Sequence, residues 1–257
     1  MIPKIFHYVW PSGGPFKPRF AAYRESFVRL HPDWQFMFWD CNDRDRYALS
    51  DLSRVLQNPV KSQNFEPLHW IVLSDIMRHE ILYKYGGVYL DTDTEAIKNF
   101  DCFLDNESFA GTSHYPNTVG NGVIGTVPGN PLFNELAENV VMSLLKMGST
   151  ACQAKPEDTV GVNFAGRYLQ RVEKIYPHEY FYPFRWDGIK KAKELIEAHG
   201  NTPQPAASAF PGSWSIHWWS GMDPDGWTKQ RYKVGAYGDT PSAPAPQGKK
   251  PWTRRLP

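Results

Sequence analysis

Cysteine and long apolar runs are both scarce in this chain of 257 residues. The three cysteines are far apart and odd in number, which excludes a disulfide framework and the spacing of a zinc site. No stretch approaches the roughly 20 apolar residues that span a bilayer. The first residues, MIPKIFHYVW, lack the basic-then-apolar pattern of a secretion signal. We therefore expect a cytoplasmic protein that is at most peripheral to a membrane.

Net charge is also nearly absent. The formal charge is +1, so no global field attracts nucleic acid, and we predict no nucleic-acid binding. Aromatic residues are abundant instead, with ten tryptophans, which suits stacking on sugar rings or bases but also a large core. We predict one folded domain over residues 1–237. A flexible, Pro/Ala-rich tail with four basic residues is predicted over 238–257, and it could touch an anionic membrane surface.

The chain alternates strand and helix patterns, above all in its first half. Predicted strands are Ile2–Trp10, Trp34–Trp39, Val88–Leu90 and Asn121–Val127, with a short aromatic segment at Ser215–Trp219. Predicted helices are Pro18–Leu30, Asp43–Leu56, Leu68–Lys84, Thr159–Ile175 and Asp187–His199, with one more that Asn130 and Pro131 open and Gly148 stops. Residues 201–213 are assigned to a loop. Such alternation predicts an α/β fold with parallel pairing in a Rossmann-like sheet, where ligands bind beyond the carboxyl ends of the strands.

Residues 85–95 read YGGVYLDTDTE and carry the most informative pattern. Side chains alternate along an extended chain, so we expect Asp91 and Asp93 to point the same way at the end of a buried strand. Two such carboxylates repel each other, and a divalent cation bound between them and a polyphosphate relieves that repulsion. The alternative is a solvated strand end followed by a turn, where aspartates are common. We predict a metal site.

The helix before this strand contains Ser74, Asp75 and Arg78. Positions i and i+3 share a helix face, so Asp75 and Arg78 project together. One interpretation is a surface ion pair. The other is a polar pair held against a ligand, and it is favoured because this helix leads directly into the aspartate strand.

Three further positions stay open between a structural and a functional role. Trp10 ends the first strand beside a glycine loop, and it could stack on a nucleotide base or belong to the core. Asn121 lies in GNGVIG, where the glycines permit close approach to a ligand or simply form a turn. His217 lies among tryptophans, as a packed core residue or as a late metal ligand or diphosphate contact.

Taken together, these residues resemble glycosyltransferase family 32, the sugar transferases with a DXD motif. The specific part is SDIMRHEILYKYGGVYLDTDTE at residues 74–95. Supporting segments are IPKIFHYVW at the start, GNGVIGTVPGNPLF at 120–133, YFYPFRW at 180–186 and SIHWWSG at 215–221. The resemblance spans about residues 1–230.

This resemblance implies a single GT-A domain with a mixed, Rossmann-like sheet. It also implies a nucleotide-sugar donor, with UDP favoured over GDP, a Mn²⁺ or Mg²⁺ ion, transfer with retention, and a glycan, lipid-linked or other hydroxyl acceptor. Asp75 and Arg78 would hold the donor sugar and act in catalysis, with Ser74 and Asn121 as further donor contacts and Trp10 on the base. Asp91 would contact the ribose of the donor or a metal-bound water, Asp93 would ligate the metal, and His217 would contribute near the diphosphate. All three would belong to the metal site, and both aspartates would be catalytic.

Two rival functions come from other classes. The string VYLDTDTE also fits the DxDxT pattern of aspartyl-phosphate phosphatases, with Asp91 as nucleophile and Asp93 as acid and base. That pattern normally sits on the first strand of its domain, whereas patterned α/β sequence precedes it here. The second rival is a non-catalytic carbohydrate-binding module, which the tryptophans would serve but which leaves Asp75 and Arg78 unexplained.

Overall fold

The computed structural model describes residues 1–11, 18–51, 53, 69–115, 117–147, 160–201 and 204–219. Its strands are β1 (Ile5–Val9), β2 (Gln35–Trp39), β3 (Gly87–Leu90), β4 (Thr94–Ala96), β5 (Ser108–Thr112), β6 (Val119–Thr126), β7 (Lys174–Tyr176) and β8 (Ser215–His217). Its helices are α1 (Pro18–Leu30), α2 (Arg44–Tyr47), α3 (His69–Tyr85), α4 (Pro131–Met147), α5 (Val162–Leu169), α6 (Ile189–Ala198) and α7 (Pro205–Ala209). The predicted tail over 238–257 lies outside the described residues.

Six strands form one mixed sheet in the order β2-β1-β3-β6-β5-β7. Strand β1 runs parallel to β2 and β3, as predicted, and β5 runs parallel to β7. The prediction of parallel pairing is wrong for β6, which is antiparallel to both β3 and β5. A short loop joins β5 to β6, and such a loop can connect only antiparallel neighbours. Strands β4 and β8 form a separate antiparallel pair.

Side-chain alternation assigns each strand residue to one of two core layers. On β1, Ile5 and Val9 pack into the cluster that holds apolar residues of α3, α4 and α5, while Phe6 and Tyr8 pack into the cluster that holds Phe27 of α1. The sheet is therefore covered on both faces. This explains why its strands read as continuous apolar runs rather than as alternating patterns.

Helix boundaries follow the local sequence signals closely. Helix α1 has the predicted bounds. Helix α4 begins where Asn130 caps it, since the Asn130 side-chain oxygen accepts a hydrogen bond of 3.0 Å from the Leu132 amide. Helix α3 ends at Gly86, which has a φ of +60° and donates its amide to the Leu82 carbonyl.

The middle and late parts of the chain differ from the prediction. Thr159–Ile175 is not one helix, because α5 ends at Leu169 and the chain then forms β7 against β5. Edge pairing has overridden a weak helical pattern there. The expected loop over 201–213 contains α7, which begins at Pro205, a favourable first helical residue. Within the predicted helix Asp43–Leu56, the structure shows α2, and residues 52 and 54–68 lie outside the described part.

Cysteine pairing and membrane-spanning helices are the two features that the composition argued against. Among the described cysteines, Cys41 is buried and Cys102 is exposed, and both are free thiols. No helix in the described ranges combines the length and the apolar character that crossing a bilayer demands.

His7 joins β1 to the turn that leads into β3. It is fully buried, and its Nδ1 accepts a hydrogen bond of 3.0 Å from the Trp39 indole. The proton therefore lies on Nε2, which donates to the Gly86 carbonyl at 2.8 Å. Burial lowers the pKa of His7 to about 4, although the Gly86 carbonyl opposes that shift. His7 is thus a neutral linker that holds the glycine turn in place.

We expect this histidine to make the fold acid-sensitive. An unfolded histidine titrates near 6.5, so between that value and about 4 the unfolded chain binds one more proton, and stability falls as the pH falls. From pH 7 to pH 4.5 the His7 contribution to this loss is about 2.5 kcal/mol. Urea unfolding of His7→Gln should show lower stability at pH 7 but a shallower loss on acidification. His199→Gln, at the surface end of α6, is the control; equal losses for wild type and His7→Gln would contradict the assignment.

Candidate metal centre

The two aspartates lie in a turn immediately after β3. The Asp91 amide donates to the Gly122 carbonyl at 2.8 Å, and the Thr94 amide donates to the Asp91 carbonyl at 3.0 Å. The expected convergence of the carboxylates therefore holds, but the reason given for it is wrong. The chain is not extended across Asp91 and Asp93; it turns, and the turn directs both side chains toward β8.

His217 reaches these carboxylates through the small β4–β8 pair. Thr94 pairs with His217 in register, and the Trp218 amide donates to the Asp93 carbonyl at 2.9 Å. The His217 Nε2 atom lies 3.3 Å from Asp91 Oδ2 and 3.1 Å from Asp93 Oδ1. One ligand atom from each of the three residues lies within 4.8 Å of the others, a spacing that a single ion can bridge.

The charged groups of this centre are partly shielded from solvent, since His217 is buried and the two aspartates are half-buried. Burial lowers the pKa of His217, but the Asp93 charge and the hydrogen bonds to both aspartates outweigh it and raise that pKa to about 10. Burial similarly raises the pKa of Asp91, and the Arg78 charge and His217 overcome it and lower that pKa to about 2. The protonated imidazole therefore supplies a positive charge beside both carboxylates.

Asp75 and Arg78 form a buried ion pair, so the interpretation as a surface pair is wrong. Arg78 Nη2 lies 2.9 Å from Asp75 Oδ1 and 3.5 Å from Asp91 Oδ1, with side-chain exposures of 6% for Arg78 and 4% for Asp75. The guanidinium carbon lies 4.5 Å from the centre of the Tyr89 ring. Helix α3 thus presents a fixed cation directly behind the aspartate turn.

The remaining predicted donor contacts divide into two groups. Asn121 joins the centre. Its backbone carbonyl accepts a hydrogen bond from Arg78 Nη1 at 2.5 Å, and its side-chain amide donates to Asp75 Oδ1 at 3.2 Å. Ser74 Oγ lies 3.4 Å from the Tyr89 hydroxyl and 3.5 Å from Arg78 Nη2. Trp10 lies apart, with its ring packed edge-on against Phe20. It follows β1 at the same edge of the sheet, and its role in stacking on a base stays a prediction.

Two tyrosines belong to the centre and were not predicted. The Tyr89 hydroxyl donates to Asp91 Oδ1 at 2.7 Å, while the Tyr182 hydroxyl accepts from the Gly122 and Val123 amides at 3.1 and 2.9 Å. Tyr89 could have been found, because it lies two residues before Asp91 on one strand. Nothing in the local pattern around Tyr182 indicates its long-range contact.

The sequence left open whether the glycines beside Asn121 permit ligand approach or form a turn; in the structure they lie on β6 and make room for side chains of the protein. A Cβ atom on Gly122 would lie 2.6 Å from Asp91 Oδ2, and one on Gly120 would lie 2.8 Å from the Tyr182 ring. Since real Cβ contacts are longer, any side chain at either position would displace its neighbour. The two glycines therefore let β6 approach the centre closely.

Comparison with known protein families adds independent information. Residues 17–110 match the family described as the glycosyltransferase sugar-binding region containing a DXD motif. The matched range includes α1, α3, the aspartate turn and most of β5. This finding confirms the family resemblance that the sequence motifs indicated.

Curated relatives cover only part of this chain. Inositol phosphoceramide mannosyltransferase 3 of Schizosaccharomyces pombe is 27% identical over 139 residues, which are 54% of this chain and 37% of that protein. An uncharacterized glycosyltransferase of Acanthamoeba polyphaga mimivirus is 30% identical over 155 residues, which are 55% of this chain and 57% of that protein. The chain thus spans between about a third and just over half of their lengths.

A solved structure shows the same fold over most of the chain. The apo-form glycosyltransferase GlyE of Streptococcus pneumoniae TIGR4 aligns with a TM-score of 0.51 at 8% identity, covering 85% of this chain and 55% of that one. At this identity the likeness concerns the fold alone. It confirms the expected GT-A fold class with a mixed sheet.

Gly122→Ala should weaken metal binding without removing any ligand. The added methyl group meets Asp91 Oδ2, so the carboxylate must move away from His217 and Asp93. We expect Mn²⁺ affinity, measured by calorimetry, to fall on the order of 10-fold to 100-fold, as when the support of a metal ligand is disturbed.

Gly212→Ala is the matched control, because nothing lies within 4 Å of a Cβ at that position. Equal Mn²⁺ affinity in wild type and Gly122→Ala, with both variants folded, would show that Asp91 is not held where a metal needs it.

Proposed function

We propose that this chain, whose residues 17–110 belong to the family of glycosyltransferase sugar-binding regions containing a DXD motif, transfers a hexose from a nucleotide-diphosphate sugar to a hydroxyl acceptor. One observation carries the proposal. The Asp91, Asp93 and His217 ligand atoms converge within 4.8 Å, and Arg78 stands 3.5 Å from the same Asp91 carboxylate. Convergent carboxylates beside a buried cation suit a metal diphosphate.

The donor set supports a divalent cation as cofactor. Carboxylate oxygens suit Mn²⁺ and Mg²⁺, and an imidazole nitrogen in the same set favours Mn²⁺ of the two. The His217 ring fits the role, because Nε2 faces both carboxylates. A bound cation supplies charge neutralisation for the leaving diphosphate.

Arg78 and its partners would position the donor sugar. The guanidinium is fixed by the Asn121 carbonyl and by Asp75, so it spends no conformational freedom when a substrate binds. Its charge lies where negative charge grows on the departing phosphate oxygens. The Asn121 side-chain amide donates to the Asp75 carboxylate, and carboxylate and amide groups are of the kind that hydrogen-bond the hydroxyl groups of a hexose.

We propose that transfer retains the configuration of the sugar. A double-displacement route needs a carboxylate free to attack the sugar carbon. Asp75, an acid beside the metal set, is buried in an ion pair with Arg78, which weakens it as a nucleophile. Attack by the acceptor on the face that the diphosphate leaves needs no such group, and we favour that route.

The substrates are proposed only by class. The relatives whose names include mannosyl transfer make mannose the first hexose to test, with both uridine and guanosine diphosphates as carriers. UDP remains our expected nucleotide. We propose a glycan, a lipid-linked saccharide or another hydroxyl compound as acceptor, in the cytoplasm, with at most peripheral membrane contact through the basic tail.

The two rival functions are less well supported by the same contacts. As a phosphatase nucleophile, Asp91 would need an open carboxylate, yet Tyr89 donates to one oxygen and His217 lies against the other. A non-catalytic sugar-binding module does not explain why Asp75 and Arg78 form a buried ion pair. Release of phosphate from an aryl phosphate would revive the first rival, and sugar binding with no nucleotide requirement would revive the second.

Asp93→Asn tests the proposal directly. The variant keeps the shape of the side chain but removes a charge that the cation needs, so hydrolysis of the nucleotide sugar should fall on the order of 100-fold. A screen of UDP- and GDP-hexoses with Mn²⁺ first identifies the donor by its thermal stabilisation of the protein.

Asp105→Asn is the control, since Asp105 is exposed and lies outside the centre. Wild type should lose activity when the metal is chelated and regain it with Mn²⁺. Unchanged, metal-dependent turnover in Asp93→Asn would rule out the ligand role.

A further inference from the structure

Only two large aromatic side chains within the described ranges are strongly exposed, and they touch each other. Tyr115 is 51% exposed and Trp186 is 41% exposed. Although they are far apart in the sequence, the Trp186 indole donates to the Tyr115 hydroxyl at 3.3 Å. Exposed aromatic rings that meet in this way are expected at binding surfaces rather than at random on a monomer.

Charged groups surround this pair on one side. The Arg185 guanidinium carbon lies 5.2 Å from the centre of the Tyr115 ring, and Arg185 Nη2 lies 2.8 Å from Asp187 Oδ2. The cluster thus offers two rings, a planar cation and a carboxylate from three consecutive residues, 185–187, and the loop that carries Tyr115. None of these groups takes part in the metal centre.

The sheet places this cluster at the edge where the metal centre lies. Strands β5 and β3 both run antiparallel to β6, so they end at the same edge. On β6, Val123 stands opposite Leu90 and Val119 stands opposite Thr112. Four residues of strand correspond to about 13 Å, so Thr112 lies about that far beyond Leu90 along the strand direction, and the Tyr115 loop follows Thr112.

The segment that carries Arg185 and Trp186 is connected to the metal centre by two hydrogen-bonded contacts. Tyr182 binds the Gly122 amide next to Asp91, and the Trp219 indole donates to the Phe184 carbonyl at 2.9 Å. Trp219 follows His217 by two residues. Arg185 and Trp186 are therefore held in a fixed relation to the metal ligands.

The strand order separates the cluster from the expected nucleotide position. Strand β1, which Trp10 follows, lies on one side of β3, while β5 lies on the other, beyond β6. A donor whose base lies near Trp10 and whose diphosphate lies at Asp91 and Asp93 leaves the β5 side free. That side is where an acceptor has to approach.

We propose that Tyr115, Arg185 and Trp186 form a subsite that binds the saccharide of the acceptor. The inference rests on the proposed function and deepens it, because it names a carbohydrate as the acceptor class. The apolar C–H face of a pyranose packs on an aromatic ring, while its hydroxyls bind planar charged groups such as the guanidinium and the Asp187 carboxylate. The offset of about 13 Å between Leu90 and Thr112 along the strand direction suits a saccharide of several units rather than a single sugar.

The test compares Trp186→Ala with Trp186→Phe in two reactions. Donor hydrolysis without acceptor should stay within twofold of wild type in both variants, since neither touches the metal centre. In transfer to a panel of methyl glycosides and free oligosaccharides, Trp186→Ala should raise the acceptor KM at least tenfold, and Trp186→Phe should restore most of it by keeping a ring. Leu195→Ala, an exposed apolar residue on α6, is the control.

Binding to a glycan array, with no donor present, tests the subsite independently of catalysis. Loss of array binding in Trp186→Ala supports the subsite even where the wild type turns over no nucleotide sugar, in which case only the proposed function fails. The subsite is overturned by an unchanged acceptor KM in Trp186→Ala, by a parallel rise in donor KM, or by a wild type that neither binds nor glycosylates any saccharide. Trp186-dependent binding to phosphatidylinositol vesicles, with glycan binding unchanged, would also overturn it and assign the rings to a lipid surface.

Discussion

The structure of this site depends on the balance of charge around the partly buried Asp91 carboxylate. Three carboxylates, those of Asp75, Asp91 and Asp93, meet one permanent cation, Arg78. Protonated His217 balances part of the remaining negative charge, and the two aspartates raise its pKa for that reason. A divalent cation with neutral His217 would balance all of it. The fold therefore holds a set of ligands that repel one another unless a cation is among them.

Secondary structure enforces this arrangement from four directions. Helix α3 brings Arg78, β3 leads into the aspartate turn, β6 brings Asn121, and the β4–β8 pair brings His217. The positions are coupled, because Gly122 allows β6 to lie against Asp91 and also donates its amide to Tyr182. Tyr182 in turn lies four residues before Trp186, which contacts Tyr115, so the exposed rings are connected to the centre through this segment. The proposed donor and acceptor sides are thus parts of one connected framework.

The features that can be predicted from the sequence are those set by neighbouring residues, such as helix ends and the aspartate pair. Helix ends follow capping residues and glycines, so α1, α3 and α4 were placed closely, and the aspartate pair stood out after a glycine-bounded strand. The three-residue strands β4 and β7 are too short to show a period, and their partners are distant in sequence. The contact of His217 with the aspartates depends on β4 pairing with β8, so the sequence left its role open. The turn geometry at Asp91, the steric role of Gly122 and the hydrogen bonds of Tyr182 are likewise long-range properties.

A crystal of the protein soaked with Mn²⁺ and a nucleoside diphosphate tests the central claim most directly, because anomalous scattering locates the ion. The account predicts one manganese peak within coordination distance of Asp91, Asp93 and His217, with the diphosphate oxygens on its open side and Arg78 nearby. Manganese found elsewhere, or a diphosphate bound with these three side chains still paired to one another, would contradict it.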